Sequence, residues 1–217
     1  QVLTNLVSNA YRHAQAPAAA GLQVTLTGKD AHTGSTPMPK RRNAGLGMAR
    51  VTELVHEVAM DYQPNAVGAI GHVEVYPNSR NIIPGKCVFT IDIRSPSKET
   101  LDTMRERIED GIDTIAEALD IDVSVDEVGH FDPVTFDVTC VKAVRDAAER
   151  LGLSHTDIVS GAGHDAQALA QIAEMAMIFV PSVNGISHSP EEFTTPEDCA
   201  NGAQTLLNLL TLADERL

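Results

Sequence analysis

The order of hydrophobic periodicities between residues 21 and 126 limits this chain more than any other feature. Leu22, Val24 and Leu26 alternate with Gln23, Thr25 and Thr27, the two-residue period of a strand with one buried face. A loop rich in Gly, Pro and charge, Gly28 to Asn43, leads to a helical stripe over about Ala44 to Asp61 carrying Met48, Val51, Leu54, Val55 and Val58. Gly71, Val73 and Val75 alternate next and, after the turn Pro77 to Gly85, so do Cys87, Phe89, Ile91 and Ile93. A second stripe, Leu101, Met104, Ile108, Ile112, Ile115 and Leu119, predicts a helix over about Lys98 to Leu119, and Ile121, Val123 and Val125 predict a fourth strand. Strand, helix, strand, strand, helix, strand is the ferredoxin-like split β-α-β order: an antiparallel four-stranded sheet with two helices on one face. Residues 21–130 are expected to form that domain.

Beyond it the pattern changes. A helix is predicted over about Val138 to Leu151, a strand at Asp157 to Ser160, a helix near Ala166 to Ala173, a buried apolar strand from Met175 to Val180, and a last helix from about Pro196 to Ala213. Helices alternating with short apolar strands imply part of a parallel α/β sheet over residues 131–217, too little to make a good core alone. At the other end, Val2, Leu3, Leu6, Val7 and Ala10 fall at helical spacing, so residues 1–16 read as an amphipathic helix that ends near Pro17, and residues 1–20 as a segment apart. The fold class is therefore α/β (α+β), in two domains.

Charge and cysteine usage narrow the function. A net charge of −14 offers no clustered Lys and Arg for a phosphate backbone, which argues against nucleic acid as a partner. Cys87, Cys140 and Cys199 lie far apart with no Cys-x-x-Cys spacing, which suggests neither a disulfide framework nor a cysteine zinc site and fits a reduced, cytoplasmic setting. No apolar run approaches the ~20 residues that span a bilayer, and the start lacks the order of a signal peptide, so no membrane partner is expected.

Three histidines sit in loops dense with Gly and polar residues: His32 after Gly28-Lys29-Asp30-Ala31, His164 in Gly161-Ala162-Gly163-His164-Asp165, and His188 in Gly185-Ile186-Ser187-His188-Ser189. Such loops carry functional groups on rigid scaffolds. His188, followed by Glu191 and Glu192, suits a zinc site, since imidazole is a favoured ligand and a carboxylate can orient its second nitrogen. The two glutamates themselves read rather as the solvated N-terminus of the last helix. Arg94 shares the polar face of its strand with Lys86, Thr90 and Asp92; its fork suits bidentate carboxylate recognition, or an ion pair with Asp92.

The loop Gly28 to Arg42, the segment Pro77-Asn78-Ser79-Arg80-Asn81-Ile82-Ile83-Pro84-Gly85, the strand end Asp92-Ile93-Arg94-Ser95-Pro96 and the stretch Ser160 to Thr195 together resemble the N-carbamoyl-L-amino-acid hydrolase and allantoate amidohydrolase branch of the dinuclear-metal peptidase and amidase superfamily. The likeness covers about residues 21–215. It implies that the split β-α-β domain is an inserted lid and dimerisation domain, that the chain forms a homodimer through it, and that the remainder belongs to an α/β catalytic domain. It implies metal-dependent hydrolysis of a non-peptide C–N bond in a small N-carbamoyl or ureido amino acid, with Zn or Mn as the metal. His188 would be a metal ligand, and His32 the lid histidine that reaches a neighbouring subunit and polarises the scissile carbonyl. Asn81 and Arg94 would hold the substrate's amide and carboxylate, and Gly161, Gly163 and His164 would line the pocket.

That family draws most of its metal ligands, its bridging aspartate and its general-base glutamate from sequence ahead of the lid. Residues 1–20 hold no Asp or Glu, and their one histidine, His13, has no ligand partner at metal spacing. The chain is therefore expected to be either the C-terminal portion of a longer or split enzyme or a remnant whose first codons were replaced, and inactive alone. Two alternatives stand beside this. One is a noncatalytic dimerisation module. The other rests on residues 1–14, which resemble the asparagine-bearing helix of histidine kinase ATPase domains, with Asn9 placed to hold a nucleotide's magnesium; the Asp-x-Gly-x-Gly turn of such a domain is absent from the chain.

Overall fold

A computed structural model describes residues 9–214, with side chains from residue 16 to residue 211. The chain divides into two compact units, one formed by Pro17–Pro133 and the other by the flanking segments up to Ala16 and from Val134 onward.

In the inserted unit four strands, β2 (Ala18–Thr27), β4 (Val67–Tyr76), β6 (Lys86–Ser95) and β7 (Asp122–Phe131), form one antiparallel sheet in the order β4-β6-β2-β7. Helices α1 (Ala44–Asp61) and α2 (Lys98–Leu119) make the two crossovers. The period-two residues turn inward as their spacing requires: Leu22, Val24 and Leu26 of β2 and Phe89, Ile91 and Ile93 of β6 are fully buried. Against them lie Val51, Val55 and Val58 of α1 and Leu101, Met104, Ile108 and Ile112 of α2, in one continuous core. The opposite face keeps Thr90, Asp92 and Arg94 half-exposed. Both helices start on a side-chain cap: the Asn43 carboxamide accepts from the Gly45 and Leu46 N–H groups, and the Ser97 hydroxyl from Thr100 N–H. Helix α2 stops where Asp120 takes a left-handed conformation, φ 50°, with its N–H returned to the Ala116 and Glu117 carbonyls. Two further strands of two residues each, β3 (Ala31–His32) and β5 (Ile82–Ile83), pair with each other.

The second unit is built around β1 (Asn9–Ala16). This corrects the expected helix: residues 9–16 are a strand, and the part of that helix assigned to residues 1–8 lies outside the described residues. Three other strands pair with β1: β8 (Val134–Thr135) and β10 (Ile178–Phe179) antiparallel, and β9 (Ser154–Val159) parallel. Ladder bonds to three partners outweigh the modest helix preference of Ala, Arg and Gln, because such propensities amount to only tenths of a kcal/mol per residue. The sheet is consequently mixed, not parallel as expected, and Asn9 opens a strand, so the nucleotide-binding helix suggested by the kinase-like start is not formed over residues 9–14. The apolar run 175–180 supplies only the two-residue β10, half-buried, because Met175, Ala176 and Met177 leave the ladder to pack on Ala16, Phe136 and Val141.

Helix α3 (Val138–Arg150) is capped by Asp137, whose carboxylate accepts from the Thr139 and Cys140 N–H groups at 2.8 and 2.9 Å. Helix α4 is a single short turn (Asp165–Leu169) and α5 runs Pro196–Asp214. An apolar groove of about 440 Å³ runs between α3, β10 and α5, lined by Val144, Ile178, Val180, Gly202 and Leu206 among others. No helix among the described residues is long and apolar enough to cross a membrane.

Candidate functional site

The residues singled out in sequence fall on both units, and each group is built by its own unit. In the inserted unit the antiparallel β2–β6 ladder ends at Thr27↔Lys86. Pairing does not end there. Gly28 N–H donates to the Gly85 carbonyl at 2.7 Å, then Ala31↔Ile83 and His32↔Ile82 continue as β3–β5, and Thr33 N–H closes on the Asn81 carbonyl at 2.9 Å. The two strands thus run on past the sheet as one extended arm, with His32 and Asn81 side by side at its tip. Close backbone approach makes this possible: a Cβ on Gly28 would sit 2.1 Å from the Arg42 carbonyl oxygen, and one on Gly85 2.4 Å from the Asp30 nitrogen.

At the tip the exposed His32 ring folds back on its own turn. Its Nδ1 accepts from Gly34 N–H at 3.0 Å and Ser35 N–H at 3.2 Å. Arg41 straps the same turn, donating from Nη2 to the Thr33 carbonyl at 2.7 Å and from Nη2 and Nε to the Thr36 carbonyl at 2.9 and 3.0 Å. The Asn81 side chain accepts from the Ser79 hydroxyl at 3.2 Å.

Arg94 lies at the far end of the same ladder, opposite Ala19 and Val67. Eight residues separate it from Lys86 along β6, about 26 Å at strand rise. The inserted unit therefore unites His32 with Asn81 and keeps Arg94 away from both. Its guanidinium grips Asp92 from the same face, Nε to Oδ1 at 3.0 Å and Nη2 to Oδ2 at 2.6 Å; the Asp92 carboxylate raises the Arg94 pKa above its ordinary value. The ion pair with Asp92 thus exists, and it occupies one edge of a fork that stays about a third exposed.

In the other unit, the turn after β9 winds around one hydroxyl. Ser160, almost fully buried, accepts from Ala162 N–H at 3.0 Å and pairs through Oγ with His164 Nε2 at 2.8 Å. The His164 ring meets Phe179 edge-on, centroids 5.3 Å apart, and the His164 backbone N–H donates to the Gln167 side chain at 3.0 Å. Gly161 and Gly163 lie in this turn. His188 stands in an exposed loop with a left-handed backbone, φ 55°, a conformation that costs a non-Gly residue energy. Glu192 offsets that cost by accepting the His188 N–H at 2.9 Å. The solvated-helix reading of Glu191 and Glu192 is corrected here: α5 begins only at Pro196, and its first turn carries Glu197 and Asp198 instead. Helical patterning had no means of showing that Glu192 turns back toward His188.

Among the described residues, the one trio of metal-type side chains within reach of one another is Asp137, Cys140 and Glu174, which excludes His188. Asp137 is committed to capping α3, and its N–H bonds hold its pKa below the usual carboxylate range. Burial, then the Asp137 charge, pushes the Cys140 thiol up, away from the thiolate a metal requires. Zinc needs three or four ligands at fixed geometry, so the described residues do not fit a complete metal centre. The apolar groove beside α5 holds none of the candidate residues.

Sequence reading missed two supporting residues. Arg41 was visible only as one of three consecutive basic residues, and Ser160 as a small polar residue before a glycine.

A split β-α-β unit is inserted between β1 and β8, and histidine-bearing turns lie in both units. The model of peptidase family M20/M25/M40 matches residues 15–212, and the chain belongs to that family. It is 54% identical over 187 residues to an N-carbamoyl-L-amino-acid amidohydrolase of Rhizobium meliloti, covering 86% of this chain and 45% of that protein. It is 37% identical over 187 residues to the allantoate amidohydrolase of Escherichia coli K12, covering 86% and 46%. The crystal structure of a hydantoinase/carbamoylase family amidase from Burkholderia vietnamiensis matches 91% of this chain and 48% of that one, with TM-score 0.89 and 44% identity. The chain spans less than half the length of the curated relatives it matches.

Proposed function

We propose that this chain is the lid and C-terminal portion of an amidohydrolase that cleaves the carbamoyl, ureido or amide C–N bond of an amino-acid-like substrate. The observation that carries this reading is the arm that places His32 and Asn81 together beyond the sheet while Arg94 sits at its other end. An extended carbamoyl amino acid is about two residues long, roughly 7 Å, so it cannot touch His32 and Arg94 of one lid at once. The two ends therefore serve two sites, which supports a homodimer in which His32 and Asn81 reach across to the neighbouring subunit's substrate.

In that arrangement His32 stabilises the scissile carbonyl oxygen as charge develops on it. Asn81 holds the amide, and the partly exposed Arg94 guanidinium, paired with Asp92, meets the substrate carboxylate. His164, held by Ser160, lines the pocket with Gly161 and Gly163, and His188 contributes one ligand to a divalent metal, Zn or Mn. The remaining ligands belong to a polypeptide equivalent to the other half of the relatives, and the chain alone is inactive.

Complementation tests this. The purified chain, mixed with Zn or Mn and the N-terminal half of the Rhizobium relative, is assayed for ammonia release from N-carbamoyl-L-amino acids and from allantoate. Activity is expected only in the mixture and is lost with His188→Ala. Turnover by the metal-loaded chain alone would sink the fragment reading. A second reading, a noncatalytic dimerisation module, is favoured by the incomplete ligand set; a tight dimer by light scattering that takes up no metal even in the mixture would select it.

A further inference from the structure

We propose that Arg41 is a positioning residue that fixes His32 in a single neutral tautomer, with Nδ1 an acceptor and the proton on Nε2. This deepens the function proposed above and rests on it for its catalytic meaning. Two backbone N–H groups, of Gly34 and Ser35, point at Nδ1. A backbone amide only donates, so Nδ1 must present its lone pair, and a neutral imidazole then carries its proton on the other nitrogen. The ring can therefore offer only a donor outward, which is the polarity required to hold a carbonyl oxygen as it gains charge, and not that of a base.

What holds those amides in place is Arg41. The Thr33 carbonyl that receives its Nη2 at 2.7 Å belongs to the same peptide plane as the Gly34 N–H. In a trans peptide the two point in opposite directions, so a guanidinium fixed on the oxygen aims the N–H at the ring. It also polarises that peptide and strengthens the donor. The second grip, on the Thr36 carbonyl, spans the turn, whose Thr36 N–H returns to the His32 carbonyl at 3.2 Å. A planar fork can hold both carbonyls at once, whereas a lysine ammonium is a point charge on a flexible stem. Gly34 matters for the same reason: a Cβ there would lie 3.2 Å from His32 Cε1, so the ring must shift by a few tenths of an ångström against its two donors.

Long-range proton–nitrogen correlation spectra of the ¹⁵N-labelled full chain read the tautomer directly, with His32 assigned by the signals missing in His32→Gln. At a pH where the ring is neutral, His32 is expected to show an unprotonated Nδ1 and a protonated Nε2. In Arg41→Ala and in Gly34→Ala the two nitrogen shifts are expected to converge as the tautomers mix, while Arg41→Lys recovers part of the separation. Circular dichroism confirms that each variant is folded. If Arg41→Ala does not fold, Arg41→Lys carries the test through a partial loss of separation. A protonated Nδ1 in the unaltered chain overturns the proposal, as does an unchanged separation in folded Arg41→Ala or, where that variant does not fold, in Arg41→Lys. None of these spectra needs turnover: a His32 that is Nε2-protonated and loses that state in the Arg41 variants, yet is dispensable for hydrolysis in the complemented enzyme, upholds the tautomer lock and removes the catalytic reading alone.

Discussion

Replacing Gly28 with alanine tests whether the arm depends on backbone contact at its base. The new Cβ would lie 2.1 Å from the Arg42 carbonyl oxygen and 2.8 Å from its carbon, both backbone atoms that no rotamer change can move. Relief requires the 28–42 loop to shift, and forced overpacking of this kind costs about 1–3 kcal/mol. The same shift lengthens two hydrogen bonds, Gly28 N–H to the Gly85 carbonyl at 2.7 Å and Lys29 N–H to the Arg42 carbonyl at 2.9 Å, each contributing about 0.5–1.5 kcal/mol. The expected loss is about 2–6 kcal/mol, a fall of about 1–3 M in the urea midpoint followed by circular dichroism, with little change in slope. Gly21→Ala is the control: seven residues earlier, within β2, its Cβ would meet Gly129 and Val128 at an ordinary 3.5 Å, and the smaller entropy loss of alanine leaves it neutral or stabilising by about 0.5–1 kcal/mol. Equal midpoint shifts for the two variants would refute the reasoning, since they would show that loss of glycine and not the Arg42 contact decides the outcome.

Four further outcomes are expected. Phe89→Ala, which empties a fully buried site in the inserted unit's core, lowers stability by about 3–5 kcal/mol in the same urea titration. Residues 17–133 expressed alone give a single cooperative unfolding transition, because their core draws only on residues within that span; a featureless melt would count against it. The Asp137 pKa is depressed in the folded state, so its contribution is present above the ordinary carboxylate range and is lost as pH falls through the depressed value. Asp137→Asn keeps the cap acceptor and removes the charge, so unfolding titrations should show wild type and variant differing near neutral pH and converging in acid. Ser160→Ala removes the partner of His164 Nε2 and costs about 1 kcal/mol, seen as a small midpoint shift with altered His164 ring resonances.

The inserted unit was legible because its signals are local and agree with one another. The stripes on α1 and α2 coincide with caps at Asn43 and Ser97, and both helices span the residues the stripes marked. The period-two runs of β2 and β6 give their buried faces directly. What stayed hidden depends on partners distant in sequence. Two-residue strands such as β3 and β5 have no period to read; their pairing follows from the glycines that let Arg42 and Asp30 come close. Residues 9–16 had helical spacing and became the central strand of the second unit because three strands beyond residue 133 pair with them. At the candidate site, His32, Asn81, Arg94, His164 and His188 were visible as residue types, but their settings were not. That Asp92 neutralises Arg94, that Glu192 holds His188's backbone, and that Arg41 straps the His32 turn are facts of folded geometry with only faint traces in composition.

The arm formed by β2–β6 and β3–β5 also fixes a length in discrete steps. Its tip is carried by paired strands, so removing two residues from each would draw His32 and Asn81 back by about 6–7 Å without turning any side chain to the other face. Removing one from each would move the tip half as far and invert the inward and outward faces beyond the cut. Reach of this arm is therefore adjustable only in even increments, and the span between its tip and the far end of the β2–β6 ladder is a quantity that insertions and deletions can change in whole pairs of residues while the core beneath is left intact.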